Sequence, residues 1–289
     1  MRRLAGVVED VEVIEGDIRD AEVVRRAMKG IHAVHHLAFV NGTGFFYSQP
    51  DLVLDVGVKG MVNVLDAAIE HKVQEFVLAS SSEVYQAAPV VPTPEEVPLT
   101  IPDPLNPRFS YAAGKIISEI MAINFGRKHF SRTVIFRPHN VYGPDMGWEH
   151  VIPQFAVRMA RLADAAPGRI SLPIQGDGAE TRAFIYISDF VDGLIRVIEK
   201  GENLGIYHIG TTEECAIGDL ARLVGRCFGR DIEVVRGAGA EGSVRRRCPD
   251  VRKLAALGFK QQTSLPVGIG KTVEWYRAHT HLAPSHASQ

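Results

Sequence analysis

Residues 75–85 read EFVLASSSEVY, an apolar run that stops abruptly in three consecutive hydroxyls, a carboxylate and a tyrosine. The run is too continuously apolar for a sheet with one wet face, so it reads as a strand buried on both sides. Working outward, VEVI (11–14), IHAVHHLAF (31–39) and RTVIFR (132–137) have the same β-branched texture. Helical stretches lie between them. Asp20 caps DAEVVRRAMKG, which Gly30 ends, and from 51 to 71 Leu54, Val58, Met61, Leu65 and Ile69 form one apolar stripe. Strand alternating with helix predicts an α/β chain with a doubly wound parallel sheet. In such sheets ligands bind beyond the carboxyl ends of the strands, which is where SSSEVY falls.

Composition narrows the partner. Among 289 residues, 46% are hydrophobic, enough for a large core, and 34 acidic residues against 32 basic ones leave no basic field for nucleic acid or membrane. A small molecule is the expected ligand. Cys215, Cys227 and Cys248 have neither disulfide nor zinc spacing, and His35, His36, His139 and His150 show no metal pattern, so no metal is expected. No run approaches the roughly 18 to 20 apolar residues that span a bilayer, and the start turns acidic where a signal peptide is apolar. A reducing cytoplasm is the expected location.

After residue 140 the texture loosens. FIYISDFVDGLIRVIEK (184–200) reads as a return to the sheet, and 205–289 carries short strands, GIYHIG and DIEVV, with helices AIGDLARLVGRCFG and VGIGKTVEWYRAH. The predicted division is 1–138 with 184–204 as the larger domain, and 139–183 with 205–289 as a smaller α/β lobe. The Pro-rich 89–107 is a long surface loop.

The helix after that loop opens FSYAAGK, setting Tyr111 and Lys115 on one face. A free phenol, with a pKa near 10, is a poor base at neutrality, and a nearby ammonium favours the phenolate. Tyr111 is then a proton acceptor for an alcohol being oxidised, and Ser81 a partner that bonds the same hydroxyl.

SSSEVY, YAAGK, FRPHNVYGP and GDGAETRAFIYISDFVDGL, in that order, resemble the extended short-chain dehydrogenase/reductase family acting on nucleotide sugars: 4-epimerases, 4,6-dehydratases and UDP-glucuronate decarboxylases. The resemblance spans nearly the whole chain and implies a Rossmann-like fold, NAD as cofactor, a UDP-sugar as the expected substrate and a homodimer pairing helices 51–71 and 110–129. It implies Asp17 and Ile18 at the adenine, Leu37 and Ala38 along the dinucleotide, Ser81 and Tyr111 as catalytic residues, and Lys115 at the nicotinamide ribose. Ser82, Asn140, Arg182 and Arg247 correspond to substrate positions, the arginines suiting phosphate through their rigid fork. Glu83 is catalytic in this reading. A plain epimerase needs no carboxylate there, whereas dehydratases and decarboxylases act next to a C4 ketone, where a carboxylate can take the C5 proton or steer a departing carboxyl. Ser82, where dehydratases often have Asp, and the Gly114–Lys115 pair lean toward decarboxylases; a structural glutamate in an epimerase is the alternative.

Two departures accompany the resemblance. The family opens with a strand and a G-x-x-G-x-x-G turn that cradles the pyrophosphate. Here roughly one βαβ unit, on the order of 30 residues, is expected to be missing before the Asp17 motif. GAGAEG (237–242) fits a glycine-rich pattern but lies in the wrong lobe. Weak NAD binding is therefore expected of this polypeptide, and a non-catalytic remnant is the rival from another class. Gly57 stands where the family commonly has asparagine, leaving its role open.

Overall fold

The computed structural model describes residues 2–165, 168–239 and 244–284. Its centre is a four-stranded, wholly parallel sheet of β1 (Ala33–His36), β2 (Glu75–Ala79), β3 (Arg132–Pro138) and β8 (Gly205–Ile209), in the order β1-β2-β3-β8. The period-two alternation of these strands divides the core between two faces. Phe76, Leu78 and Ile135 point to one face, packing with Val24 of α1 (Ala21–Ala27) and Met28 at its end, Met61, Val64 and Leu65 of α4 (Gly60–Glu70) and Ala122 of α5 (Ser110–His129). Val77, Val134 and Phe136 point to the other, toward Val197 of α7 (Ile187–Lys200) and Leu254 of α9 (Arg252–Ala256). Helices on both faces make the doubly wound sheet that the apolar runs implied.

Local signals start the elements as read. The Asp20 carboxylate accepts hydrogen bonds from the amides of Glu22 and Val23 at 3.0 and 3.3 Å, and Gly30 follows α1 at φ +76°. The short α2 (Thr43–Ser48) and α3 (Pro50–Leu54) come next. A single π turn, Asp55–Lys59, joins α3 to α4. That turn inserts one extra residue and changes the phase of the stripe. Val53, fully buried, faces inward where Leu54 was expected, and Leu54 is 37% exposed.

VEVI (11–14) is not a strand. Val11, Val13 and Ile14 are all exposed, and Ile14 and Gly16 line a cleft of about 440 Å³ whose far wall is β1. A strand forms only where a neighbour takes up its amides and carbonyls, and β1 lies across the cleft at the sheet edge.

The remaining elements are β4 (Val141–Tyr142), α6 (Val151–Ala165), β5 (Ile170–Ile174), β6 (Thr181–Ala183), β7 (Ile185–Tyr186), β9 (Glu214–Ala216), α8 (Ile217–Cys227), β10 (Ile232–Arg236), β11 (Arg246–Arg247) and α10 (Leu265–Ala278). A second core, containing Ile152, Met159, Leu172, Leu220, Val224, Ile269 and Val273, joins α6, α8 and α10 to β5 and β10. Two boundaries differ from the sequence reading. Residues 205–209 complete the large sheet through β3, and 185–186 pair with β4 instead of the large sheet. Part of GAGAEG, from residue 240, lies outside the described residues. No described helix is long and apolar enough to cross a membrane.

Candidate active site

The large sheet delivers the hydroxyl run to its carboxyl edge. Beyond β2, Ser81 is extended and its hydroxyl accepts the Glu83 amide at 3.2 Å, starting the turn Ser82–Tyr85. Asn106 caps the turn Pro107–Phe109, which leads directly into α5. The first two turns of α5 bury Tyr111 and Lys115, and Ser81 is within hydrogen-bonding reach of the Tyr111 phenol. The three residues expected to work together are therefore neighbours.

Their charges differ from the expectation. Burial pushes the Tyr111 phenol up to about 12, with the Ser81 hydrogen bond opposing and the Glu83 charge adding to the rise. Burial draws Lys115 down to about 7, against the pull of Glu119. Lys115 Nζ donates to the Ala79 carbonyl at 2.7 Å and sits 4.2 Å from the centre of the Phe39 ring, against 5.7 Å from that of Tyr111. The cation thus serves a carbonyl and a phenylalanine instead of acidifying the phenol. Aromatic rings close around the pair: Phe46 stacks on Tyr111 at 4.8 Å and Phe39 meets it edge-on at 5.1 Å.

Gly57 acquires a role here. A methyl built on it would overlap three atoms of the Phe39 ring, and one on Gly114 would reach the same ring at 2.8 Å. The π turn and the start of α5 thereby form a slot as thin as one ring.

Glu83 faces the opposite way, into arginine. Its carboxylate accepts from Arg247 Nη1 at 2.5 Å. Arg247 stands beside Arg182 in the register of β11 and β6. Burial alone would raise the Glu83 carboxyl, but Arg247, Arg108 and Arg182 hold it below its ordinary value. Arg182 falls to about 10, through burial and then repulsion from Arg247. Arg108 was not singled out in the sequence, although an arginine three residues before the tyrosine, at the helix entrance, was the available signal. Among the described residues, the buried Nε atoms of Arg108 and Arg247 have no hydrogen-bond partner. Asn140, in the left-handed region at φ +41°, donates its amide to Ala183 O at 3.0 Å and so ties the strands that carry Arg182. Ser82 is buried at the first position of its turn.

The other candidates gather elsewhere. Asp17, Ile18, Leu37 and Ala38 all line the 440 Å³ cleft beside β1. Asp17 is half-exposed and paired with Arg19 at 2.6 Å, which holds its carboxyl at about 2 through side-chain and backbone hydrogen bonds. The Ile18 carbonyl accepts from Asn63 at 2.9 Å. The histidines form no metal site among the described residues. Behind the site, Arg137 makes a two-pronged, fully buried ion pair with Glu119 at 2.6 and 2.8 Å, and Glu119 also accepts from Ser80. Tyr85 joins Arg137 to His208, whose Nε2 lies 2.6 Å from the phenol.

The profile of the NAD-dependent epimerase/dehydratase family matches residues 2–210. The chain belongs to this family. Across 278 residues, 95% of the chain and 79% of the relative, it is 31% identical to a dTDP-glucose 4,6-dehydratase of Streptomyces antibioticus. To UDP-glucuronic acid decarboxylase 3 of Arabidopsis thaliana it is 29% identical over 274 residues, covering 94% and 76% of the two chains. A crystal structure of a double mutant of dTDP-glucose 4,6-dehydratase from Streptomyces venezuelae, with NAD bound, superposes with a TM-score of 0.84 at 29% identity, covering 97% of this chain and 84% of that one.

Family members use NAD, and the residues fit it at its two ends. Asp17, expected at the adenine, lines a cleft with Ile18, Leu37 and Ala38, and the slot at Gly57 and Gly114 has the thickness of a flat ring beside Tyr111 and Lys115. Among the described residues, the stretch before α1 has no glycine-rich turn between a strand and a helix to cradle the pyrophosphate.

Proposed function

We propose that the chain transiently oxidises C4 of a nucleoside-diphosphate sugar and then expels a carboxyl group from the neighbouring carbon as carbon dioxide. The observation that carries this reading is Glu83, a charged carboxylate paired with Arg247 at the strand end that carries Ser81 and faces Tyr111 of α5. NAD, when bound, supplies the hydride acceptor that makes C4 a ketone and, once the carboxyl has left, the hydride that restores the C4 alcohol. Tyr111 takes the hydroxyl proton and Ser81 orients that hydroxyl. For Tyr111 to act near neutrality, Lys115 must leave the Ala79 carbonyl and bring its charge to the phenol.

A carboxyl group one carbon removed from the ketone then departs. The electrons of the broken carbon–carbon bond pass into an enolate, and one proton delivered to that carbon ends the step. Arg247, Arg182 and Arg108 are suited to hold the diphosphate through their rigid forks. Decarboxylation needs no acid for a leaving hydroxyl. Dehydration needs both that acid and a base, and Ser82 stands beside Glu83 where dehydratases often have an aspartate as the acid.

Dehydration is the second reading, favoured by the 31% identity to a 4,6-dehydratase. Incubation with UDP-glucuronate should release carbon dioxide. A base-absorbing 4-keto product from dTDP-glucose would favour the second reading, and a merely isomerised sugar would overturn both in favour of a 4-epimerase. Exposed Leu54, Val62, Ile117 and Ile120 on the helical stretches 50–70 and 110–129 support the dimer; light scattering that finds only monomer would count against it. Three free cysteines suit the cytoplasm, which cell fractionation would check.

A further inference from the structure

We propose that Phe39 is a gate: its ring fills the slot that the flat end of the dinucleotide needs, and its withdrawal frees Lys115 for the cofactor. This rests on the reading of Lys115 as a contact of the nicotinamide ribose. The geometry is unusually confined. Phe39 sits against Gly57 on the π turn and Gly114 on α5, where any side chain on Gly57 would overlap the ring and one on Gly114 would crowd it. From that seat it lies 4.2 Å from the Lys115 ammonium and 5.1 Å from the Tyr111 ring. The aromatic face stabilises the ammonium where it is, and Nζ spends its hydrogen bond on Ala79 O.

The means of withdrawal are on either side of the ring. Leu37 and Ala38, just before Phe39, are exposed, and Gly42, just after it, has φ +131°, a conformation that side chains other than glycine rarely adopt. Val40 packs with the ring against Phe46, Val53 and Tyr111, so the two leave this small cluster together, while α2 behind Gly42 has no side-chain cap to hold the loop. The movement is confined to that cluster and leaves β1 in place. A planar heteroaromatic ring joined to a hydroxylated sugar would then find the glycine walls, the Tyr111 ring and the released ammonium together.

The test compares Phe39→Ala and Gly57→Ala with the wild type, each checked for folding by circular dichroism. The second substitution expels the ring by filling its seat, so it should mimic the first. Lys115 acylation is followed by peptide mass spectrometry at alkaline pH, where the amine is neutral in every variant, and NADH binding by fluorescence titration. If the seated ring holds about nine-tenths of the population, removing it should speed acylation and tighten NADH binding in Phe39→Ala about tenfold. NADH should also protect Lys115 of Phe39→Ala from the reagent. Unchanged acylation in both folded variants would overturn the proposal, because the ring would not be the cap. NADH affinity that does not improve in Phe39→Ala would overturn it as well, because the ring would not be a competitor. Failure of the catalytic reading shows differently, as turnover that survives Tyr111→Phe, and leaves the acylation result intact.

Discussion

Replacing Glu83 by Gln should weaken chemistry while tightening the grip on the nucleotide. Glu83 and Arg247 meet at 2.5 Å, and Arg108 and Arg182 act on the same carboxylate. A charge-assisted hydrogen bond contributes about 1.5–3 kcal/mol and a neutral one about 0.5–1.5 kcal/mol, so the amide leaves roughly 1–2 kcal/mol of attraction for another anion to claim. A diphosphate that binds the three guanidinium groups inherits that attraction, and its affinity should rise about 5- to 30-fold. Isothermal titration of UDP into wild type and variant measures it directly, and the difference should shrink in high salt. Turnover should fall in the same variant, since the amide cannot act as a carboxylate next to the ketone. UDP affinity that stays the same or weakens would refute the reasoning, because Glu83 would not be the intramolecular stand-in for substrate phosphate.

Three further outcomes follow from the same geometry. Arg108→Met should raise the KM for the nucleotide sugar more than it lowers kcat, by about tenfold for a loss of roughly 1.4 kcal/mol, measured by initial rates; a pure kcat effect would move Arg108 from binding to chemistry. Glu119→Gln breaks a buried pair and should cost about 3–5 kcal/mol in urea denaturation, whereas a loss below about 1 kcal/mol would mean that Ser80, Tyr85 or water replaces the carboxylate. Lys115 holds its proton only below about 7 when folded, against 10.5 ordinarily, so across that window the unfolded chain binds more protons. This group therefore makes stability rise with pH between those values, by up to about 5 kcal/mol, and Lys115→Met should remove that slope; an unchanged slope would show that Lys115 remains charged in the fold.

Much of this was legible from short patterns. Buried parallel strands are written as continuous β-branched runs, so β2 and β3 could be read directly, and the Asp20 cap and Gly30 stop fixed α1 because each acts within a few residues. The site was legible for the same local reason: strand end, loop and helix start are consecutive in the chain, and Ser81, Glu83, Tyr111 and Lys115 are all found there. What escaped depended on partners distant in sequence. VEVI has the texture of a strand, but strand formation is settled by a neighbour, and β1 stands across a cleft. Leu54 was assigned inward because a π turn leaves no pattern in hydrophobic spacing. The domain boundary slipped because GIYHIG is equally good as a strand of either lobe, and only its pairing with β3 decides. Arg108 and Phe39 lacked motifs of their own; one is recognised by the arginines that surround Glu83, the other by two glycines from different helices.

The role of Tyr111 as the proton acceptor in sugar oxidation is tested most directly by Tyr111→Phe with UDP-glucuronate and NAD, following carbon dioxide release alongside UDP affinity. The ring contacts with Phe39 and Phe46 survive in that variant and only the phenolic oxygen is lost. The account predicts that release falls about 10²- to 10⁴-fold while UDP affinity stays within about twofold. Release that continues within about threefold of the wild-type rate would contradict it.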